Sequence, residues 1–277
     1  VVLRAYSHWG PSAIRRFNGM FAFAIWDGRR QSLLLARDRY GIKPLYYSVV
    51  GKTLVFGSEI KAILEHPLID RKLSYEALSD YITFQNVFSD ATLFDGITLL
   101  PPATILTIDL GDTGTLRRQT YWDYDFTEDD GPSEAEWTEA IAEKFDHAVQ
   151  SQLMGDVPVG SYLSGGMDSG SITAVAAGQI PRISTFTCGF DLSSASGLEM
   201  AYDEREKAEH MSSLFKTEHY EFVLKAGDME AVMPQLTWHL EDPRVGQSYP
   251  NYYVARLASK FVKVVLSGTG GDELFGG

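Results

Sequence analysis

The sequence predicts a mixed α/β fold, in which a largely antiparallel sheet pair is followed by a doubly wound domain with a parallel sheet. Three observations support this expectation. The first part of the chain is rich in short strand-like runs joined by hairpin turns, with few helices. Beyond residue 153, strand-like and helix-like segments alternate. Between the two parts, residues 127–132 are acidic and contain Gly and Pro, which is typical of a linker.

Bulk composition bounds the class of protein. The chain has 277 residues, 44% hydrophobic and 22% charged, as in a soluble globular protein of one or two domains. Its net charge of −13 argues against a nucleic-acid partner, because such domains usually present a basic face, but it does not exclude ATP. The single cysteine, Cys188, rules out an internal disulfide, and no apolar run approaches the ~18 residues that span a membrane. We therefore expect a cytoplasmic protein.

Alternating apolar runs and turn residues define the elements of the first part. Met20–Trp26 is apolar on both alternating faces, so we expect a strand that is covered on both sides. After the turn signal Asp27-Gly28, we expect a returning strand over Ser32–Ala36 and then a hairpin of 45–50 with 54–56. Two helices follow, one capped by Ser58 and running to about Leu64, and one capped by Ser74 and running to about Phe84. The last predicted elements are a strand over Ala103–Leu110, a turn at 111–114, and an aromatic strand near Tyr121 and Trp122.

The second part begins with a capping-box spacing. Ser133 is followed three residues later by Glu136, which predicts a helix that starts there and runs to about Leu153. The alternation that follows predicts strands over Val159–Leu163, Ile183–Cys188, His219–Leu224 and the buried Phe261–Leu266, with helices over Ser169–Ala177, Glu204–Leu214 and a region ending near Ser259.

A glycine-rich turn joins the strand ending at Leu163 to the helix starting at Ser169. Ligands of parallel sheets bind at the carboxyl ends of the strands, and a helix N-terminus attracts anions. Gly165 and Gly166 let the chain turn tightly enough to aim successive N–H groups at one phosphate. Ser164 and Ser169 can add hydroxyl donors, and Asp168 can hold magnesium that bridges phosphates. A tight turn with incidental glycines is the alternative, and the complete hexapeptide favours the phosphate site.

A second glycine-rich stretch, Ser267–Gly277, also follows a strand and should lie at the same sheet edge. Its Asp272 is placed to share a magnesium–pyrophosphate complex with Asp168, because carboxylates beside phosphates need a cation between them. A solvated acidic turn is the alternative here. Residues 155–161 have the Walker glycine spacing without its lysine, so they do not predict a Walker loop.

These motifs resemble the asparagine synthetase family. Residues 156–160, leading into the letters LSGGMDS, look like the family's ATP-pyrophosphatase loop, and SGTGGDELFGG is similar to its later SGxGxDExFGG signature. Three segments of the first part resemble the second half of the family's class II glutaminase domain: FNGMFAFAIW at 17–26, ARDRYGIKPLYY at 36–47 and FGSEIKA at 56–62. The resemblance covers nearly the whole chain.

The resemblance implies a division into three segments. Residues 1–126 would be the C-terminal part of a class II glutaminase sheet sandwich, residues 127–132 a linker, and residues 133–277 the N-terminal part of an ATP-pyrophosphatase domain. The implied reaction is adenylation of the aspartate side-chain carboxylate by ATP, followed by amidation with ammonia released from glutamine. Aspartate, glutamine and ammonia are thus the implied small-molecule partners, with ATP and magnesium as cofactors, and a homodimer stays open as oligomeric state.

The resemblance also assigns roles to individual residues. Asp168 and Asp272 would be catalytic acids that hold magnesium through pyrophosphate. The nucleotide and its phosphates would be bound by Leu163, Ser164, Gly165, Gly166, Ser169, Cys188, Ser267 and Gly268.

Four departures from the family pattern limit the implied activity. The family's glutaminase nucleophile is an N-terminal cysteine, whereas this chain begins with Val1, so we expect an internal piece of a longer protein that does not itself hydrolyse glutamine. The family's upstream glutamine-binding segments are also missing here, and so is the family's C-terminal lysine, which contacts the phosphates. Thr269 stands where many members have an acid, and a hydroxyl cannot take a proton from ammonia as a carboxylate can.

Two other functions stay open at this point. Relatives that close β-lactam rings or cyclise peptides use the same loop to adenylate other carboxylates, and a non-catalytic nucleotide-binding protein is a third reading. Glu241 is placed either at the acceptor site or at a helix end. Arg37, Asp38, Arg39 and Glu59 fit domain contacts and local ion pairs equally well, and the six histidines show no metal-ligand spacing.

Overall fold

The computed structural model describes residues 1–109, 115–128, 131–193, 203–243 and 248–275. The predicted turn at 111–114, two positions of the predicted linker (129 and 130) and the terminal Gly276 and Gly277 lie outside the described residues. The chain forms two compact units, Val1–Thr127 and Glu128–Gly277. Antiparallel sheets build the first unit and a parallel sheet builds the second, which confirms the expected mixed α/β fold.

The first unit contains three helices, one 3-10 helix and seven strands in its described residues. In chain order these are α1 (Val2–Trp9), the 3-10 helix Gly10–Arg16, β1 (Ala22–Asp27), β2 (Ser32–Arg37), β3 (Tyr46–Val50), β4 (Thr53–Gly57), α2 (Ile60–Leu64), α3 (Tyr75–Phe84), β5 (Thr98–Leu99), β6 (Thr104–Asp109) and β7 (Leu116–Thr120).

Two antiparallel sheets share a core in this unit. One has the strand order β1-β2-β6-β7 and the other β4-β3-β5. Leu35 of β2 pairs with Leu106 of β6, and both pack against Leu45 beside the second sheet. The opposite face of β2 carries Leu34 and Ala36, which pack with a second apolar cluster. The central strand β2 is therefore buried on both faces.

The expectation that Met20–Trp26 is covered on both sides was wrong. The strand β1 lies at the edge of its sheet and has one buried residue, Ile25, whereas Trp26 is 51% exposed. Apolar letters alone do not distinguish an edge strand from a central one, because the pairing with β6 decides which strand is covered.

Local capping signals gave mixed results. Ser74 accepts a hydrogen bond from the Ala77 nitrogen and caps α3 as predicted. Ser58 does not cap α2, whose N-cap is Glu59 without a side-chain hydrogen bond. Tyr121 follows β7 rather than forming part of it, and its hydroxyl donates to the backbone oxygen of Arg37.

Arg37 and Asp38 stabilise the loop that follows β2. The Asp38 carboxylate, 1% exposed, accepts hydrogen bonds from four backbone nitrogens, at residues 21, 40, 42 and 43. The Arg37 guanidinium donates to the carbonyl oxygens of residues 41, 43 and 100, and its burial lowers its pKa. These contacts support a local structural role for Arg37 and Asp38. The two side chains act through hydrogen bonds to the backbone, and not through the local ion pairs that the sequence suggested.

The second unit contains six helices and four strands in its described residues. In order these are α4 (Glu134–Gln152), β8 (Val159–Tyr162), α5 (Met167–Gln179), β9 (Ser184–Phe190), α6 (Arg205–Phe215), β10 (Glu218–Leu224), α7 (Asp228–Leu240), α8 (Ser248–Ala258), β11 (Val264–Leu266) and α9 (Gly271–Phe275). The predicted capping box is present, since Ser133 and Glu136 exchange hydrogen bonds at the start of α4.

The four strands of this unit form one parallel sheet in the order β10-β9-β8-β11. Phe186 of β9 packs against Val254 and Ala258 of α8, while Ser161 of β8 hydrogen-bonds Thr173 of α5 at 2.9 Å between hydroxyls. The last strand is shorter and less buried than the strand that the sequence predicted over Phe261–Leu266. It lies at the sheet edge as β11 and buries only its final residue. Within the described ranges, no helix is both long and apolar enough to cross a bilayer.

Candidate functional site

The order of the parallel strands places two turns side by side. From β8 the chain proceeds to β9 and β10 on one side, and then returns to add β11 on the other side of β8. Such a reversal opens a crevice at the carboxyl ends of the two strands between which it occurs, here β8 and β11, and ligands of open α/β sheets bind in such crevices. The turn after β8, Ser164–Ser169, and the turn after β11, Ser267–Gly271, both begin at this edge. We call them the first turn and the second turn.

Hydrogen bonds within the first turn hold its shape. The Ser164 nitrogen donates to the Ser169 hydroxyl at 3.1 Å, and the two hydroxyl oxygens lie 3.0 Å apart. The Ser169 hydroxyl also donates to the Gly166 carbonyl at 3.3 Å, and the Gly166 nitrogen lies 3.4 Å from the Ser164 hydroxyl. Both hydroxyls expected to bind phosphate are therefore engaged inside the turn.

The backbone of the first turn leads directly into the N-terminus of α5. Gly165 has φ +80°, a conformation that L side chains rarely adopt. Gly166 is the N-cap of this 13-residue helix and provides no capping side chain. The N–H groups of the first helical turn have no partner within a helix, so they are available to an anion, which the helix dipole also attracts.

Asp168 joins the two turns. A Cβ atom added to Gly268 would lie 2.9 Å from the Asp168 Cβ and 3.0 Å from the Ser169 nitrogen. A Cβ atom on Gly271 would overlap the Asp168 carboxylate itself, at 2.7 Å from Oδ1 and closer to the other two carboxylate atoms. The second turn thus approaches Asp168 with bare backbone, and a side chain at Gly271 would displace the carboxylate from its observed position.

The second turn has its own internal hydrogen bonds. The Ser267 and Thr269 hydroxyls lie 2.9 Å apart, and the Thr269 nitrogen donates to the Ser267 hydroxyl at 3.3 Å. Gly270 has φ +104°. Asp272 lies at the start of the five-residue helix α9, and its side chain is exposed. The Thr269 hydroxyl pairs with Ser267, and either oxygen can be the donor; a hydroxyl at this position cannot take a proton as a carboxylate can.

Two predicted nucleotide-binding residues lie deeper in the unit. The Leu163 side chain is fully buried and its nitrogen donates to the Phe186 carbonyl at 3.0 Å, so its backbone would have to make any nucleotide contact. Cys188 packs with the apolar residues of β9, β10 and α8. Its pKa is raised to about 12, first by burial and then by the charges of Asp203 and Asp228. A neutral thiol suits an apolar pocket and not a nucleophile.

The two acids fit magnesium only together with a phosphate ligand. In the described part of the chain, no group of three or more His, Cys, Asp or Glu side chains could hold a metal ion. Magnesium commonly takes one or two carboxylates and completes its shell with phosphate oxygens and water. Asp168 beside the second turn, with Asp272 one residue beyond Gly271, provides that chemistry. Among the histidines, His219 is partly buried, and its Nδ1 lies 2.9 Å from the Thr185 hydroxyl.

Sequence reasoning missed one element at this site, the start of α6. A Cβ atom on Gly165 would lie 2.5 Å from the Lys207 Cβ and 3.2 Å from the Ala208 nitrogen, both in the first helical turn of α6. The sequence predicted a helix starting near Glu204 but carried no signal that it packs against the turn that follows β8.

The fold and the paired turns define a class: a mixed α/β protein with two glycine-rich turns at the carboxyl edge of a parallel sheet, one of which leads into a helix N-terminus. Residues 140–277 match the family model described as asparagine synthase, and residues 1–122 match the one described as glutamine amidotransferase domain. The chain belongs to the glutamine-hydrolysing asparagine synthetase family.

Similar curated proteins carry matching names. Asparagine synthetase [glutamine-hydrolyzing] 1 of Bacillus subtilis is 34% identical over all of this chain and 42% of its own length. Amidase chry2 of Gibberella zeae is 32% identical, again over all of this chain and 42% of its length. The chain spans about half the length of the curated relatives it matches, between 42% and 53% for the asparagine synthetases. Among solved structures, NMN synthetase from Francisella tularensis aligns at 15% identity over 46% of this chain and 52% of its own, with a TM-score of 0.32, too weak to carry an argument.

Proposed function

We propose that the full-length protein is a glutamine-hydrolysing asparagine synthetase and that the second unit carries part of its adenylating site. ATP would activate the side-chain carboxylate of aspartate, with release of pyrophosphate, and ammonia from glutamine would then displace AMP to give asparagine. The observation that carries this proposal is the contact of Asp168 with the bare backbone of both Gly268 and Gly271. Family membership supports it.

The proposed domain assignment follows the family. Residues 1–126 would be the C-terminal part of a class II glutaminase domain, whose two sheets pack against each other as a sandwich. Residues 127–132 would be the linker, and 133–277 the N-terminal part of a doubly wound pyrophosphatase domain. The strand order, which reverses between β8 and β11, is consistent with that architecture.

The roles of the residues follow from the geometry of the two turns. The N–H groups of Gly165 and the first helical turn of α5 would hold the pyrophosphate part of ATP, and the Gly166 N–H would join them by giving up its 3.4 Å hydrogen bond to the Ser164 hydroxyl. Asp168 and Asp272 would orient magnesium, which neutralises charge on the phosphates when it is bound. Ser267 and Gly268 at the start of the second turn, together with Leu163 and Cys188, would line the nucleotide pocket. The chain's contribution is to hold two anions in reacting geometry.

An assay of pyrophosphate release tests this function. The full-length protein should release pyrophosphate from ATP when magnesium, aspartate and ammonium are supplied together. Asp168→Ala should lower the rate by about a hundredfold or more, the usual scale for removing one electrostatic group from a transition state. Asp146→Ala, an exposed acid on α4, is the matched control and should retain the wild-type rate. Unchanged release after Asp168→Ala would overturn the assignment.

A second candidate is an amide-forming enzyme that adenylates another carboxylate. It is favoured by Thr269, whose hydroxyl is bonded to Ser267 and leaves no acid at this position of the second turn. The amidase relative is consistent with it. A screen of acceptor carboxylates separates the two functions: aspartate-dependent release of pyrophosphate supports the first, and release that requires a different carboxylate supports the second. A non-catalytic nucleotide-binding protein would release none.

A further inference from the structure

The start of α6 is anchored at the carboxyl edge of the parallel sheet. The Arg205 guanidinium donates to both carboxylate oxygens of Asp203, at distances between 2.6 and 3.1 Å, and to the Phe190 carbonyl oxygen at the end of β9, at 2.9 Å. A Cβ atom on Gly189 of β9 would overlap the Arg205 side chain, so the bare backbone there lets α6 begin against the end of that strand. These contacts set the position of the residues that follow in α6.

The residue of α6 that lies against the first turn of the site is Lys207. A Cβ atom on Gly165 would lie only 2.5 Å from the Lys207 Cβ. One helical turn further along, a Cβ atom on Gly170 of α5 would lie 2.9 Å from the Met211 sulfur. The two glycines let α6 pack closely on both the first turn and α5. The lysine side chain therefore begins beside the backbone that is expected to hold an anion.

Lys207 and Arg205 differ in how their charges are used. Arg205 is paired with Asp203, whose side chain is 9% exposed, whereas Lys207 is exposed and forms no ion pair within the described ranges of the chain. Burial raises the pKa of the Glu204 carboxyl and the Lys207 charge opposes this rise, but the two side chains form no ion pair. A lysine carries a compact charge on a flexible four-carbon stem, and its ammonium is a common phosphate ligand. From a Cβ beside Gly165, such a stem can bring the ammonium to a phosphate held there.

The two turns themselves provide no positive side chain. Neither 164–169 nor 267–271 contains a lysine or an arginine. A pyrophosphate bound between them would also lie near the carboxylates of Asp168 and Asp272, and magnesium and the N-terminus of α5 offset only part of that negative charge. A positive side chain at this site has to come from another element, and Lys207 of α6 is in contact with the first turn.

We propose that Lys207 is a phosphate-binding residue, whose ammonium contacts the pyrophosphate part of magnesium ATP at the first turn. This inference rests on the proposed function and adds to it a ligand contact from α6. The contact is a charge-assisted hydrogen bond to a phosphate oxygen. Since free pyrophosphate carries the same oxygens, Lys207 raises the affinity for pyrophosphate as well as for ATP. It does not contact the nucleoside, so AMP binding is independent of it.

Lys207→Met in the full-length protein tests this contact, because methionine keeps an unbranched stem against Gly165 and lacks the charge. Calorimetry gives the Kd of magnesium pyrophosphate and of AMP, and steady-state kinetics gives the KM for ATP. We expect about tenfold weaker pyrophosphate binding and a similar rise in KM, the scale of one hydrogen bond to a charged group, with AMP affinity within about twofold of wild type. Added salt should weaken pyrophosphate binding less in the variant than in the wild type, because one screened charge pair is gone.

Two control variants and thermal unfolding separate the charge from the packing. Lys207→Arg keeps a positive charge and should bind pyrophosphate within about threefold of wild type. Lys260→Met removes an exposed lysine between α8 and β11, at the opposite edge of the sheet, and should change neither binding nor unfolding. Wild-type pyrophosphate affinity in Lys207→Met, or an equal loss of AMP affinity, would overturn the inference and leave the proposed function intact. If the wild-type protein neither binds magnesium pyrophosphate nor releases it from ATP, the proposed function fails and this inference fails with it.

Discussion

Replacing Gly271 with alanine would test the contact between the two turns with a single methyl group. Gly271 has no positive φ, so alanine fits the backbone and the effect is steric. The added Cβ would lie 2.7 Å from Oδ1 of Asp168 and closer still to Oδ2 and Cγ, whereas ordinary contact begins at 3.4 Å. The carboxylate or the second turn must therefore move by about 1 Å. A misplacement of that size at a reacting centre costs on the order of a hundredfold in rate.

The assay is pyrophosphate release by the full-length protein, with unfolding measured in parallel. We expect Gly271→Ala to lose about a hundredfold in kcat/KM for ATP, at a stability cost of about 1–3 kcal/mol for overpacking. Gly178→Ala is the matched control, because its Cβ would meet nothing within 4 Å and it lies inside α5. That control should keep the wild-type rate and gain about 0.5–1 kcal/mol from helix propensity. A wild-type rate in Gly271→Ala would refute the reasoning that Asp168 needs this close approach.

Two further predictions concern a helix cap and a thiol. Ser133→Ala removes the capping box of α4 and should lower the free energy of unfolding by about 1 kcal/mol in urea denaturation, with no change in pyrophosphate release; an unchanged unfolding midpoint would contradict it. The Cys188 thiol, whose pKa is raised from 9.0 to about 12 chiefly by burial, should react with iodoacetamide at pH 9 at least about a hundredfold more slowly in the folded chain than in urea. Similar rates in the two states would show that the thiol is not protected.

Local sequence signals predicted some elements to within a residue or two. The boundaries of α4 follow from the hydrogen bonds that Ser133 and Glu136 exchange at its start, which are contacts between near neighbours. The hairpin of β3 and β4 is equally local, with Gly51 at φ +60° between the strands. The order of strand, turn and helix was also enough to place both glycine-rich turns at one sheet edge, because parallel strands share their carboxyl edge.

Signals of the same kind failed where distant parts of the chain decide. Ser58 precedes α2 as a capping serine would, yet Glu59 takes the N-cap position. The sequence predicts that both faces of the first strand are covered, although the pairing of β2 with β6 leaves β1 at the edge of its sheet. The aromatic pair after β7 lies beyond its strand, where the Tyr121 hydroxyl bonds to the backbone of Arg37. The outcomes at β1 and Tyr121 depend on partners remote in sequence, which no local pattern encodes.

By itself, the sequence determined the mixed α/β fold, the two turns and the residue types that suit a phosphate: glycines for tight backbone, an acid for a cation, and a helix start for an anion. Those properties belong to short segments, so neighbouring residues are enough to express them. Only the tertiary structure decided that Asp168 fits against Gly268 and Gly271, and that Lys207 of α6 packs against Gly165. These contacts join segments that follow three different strands, and they exist only once the parallel sheet brings the ends of those strands together.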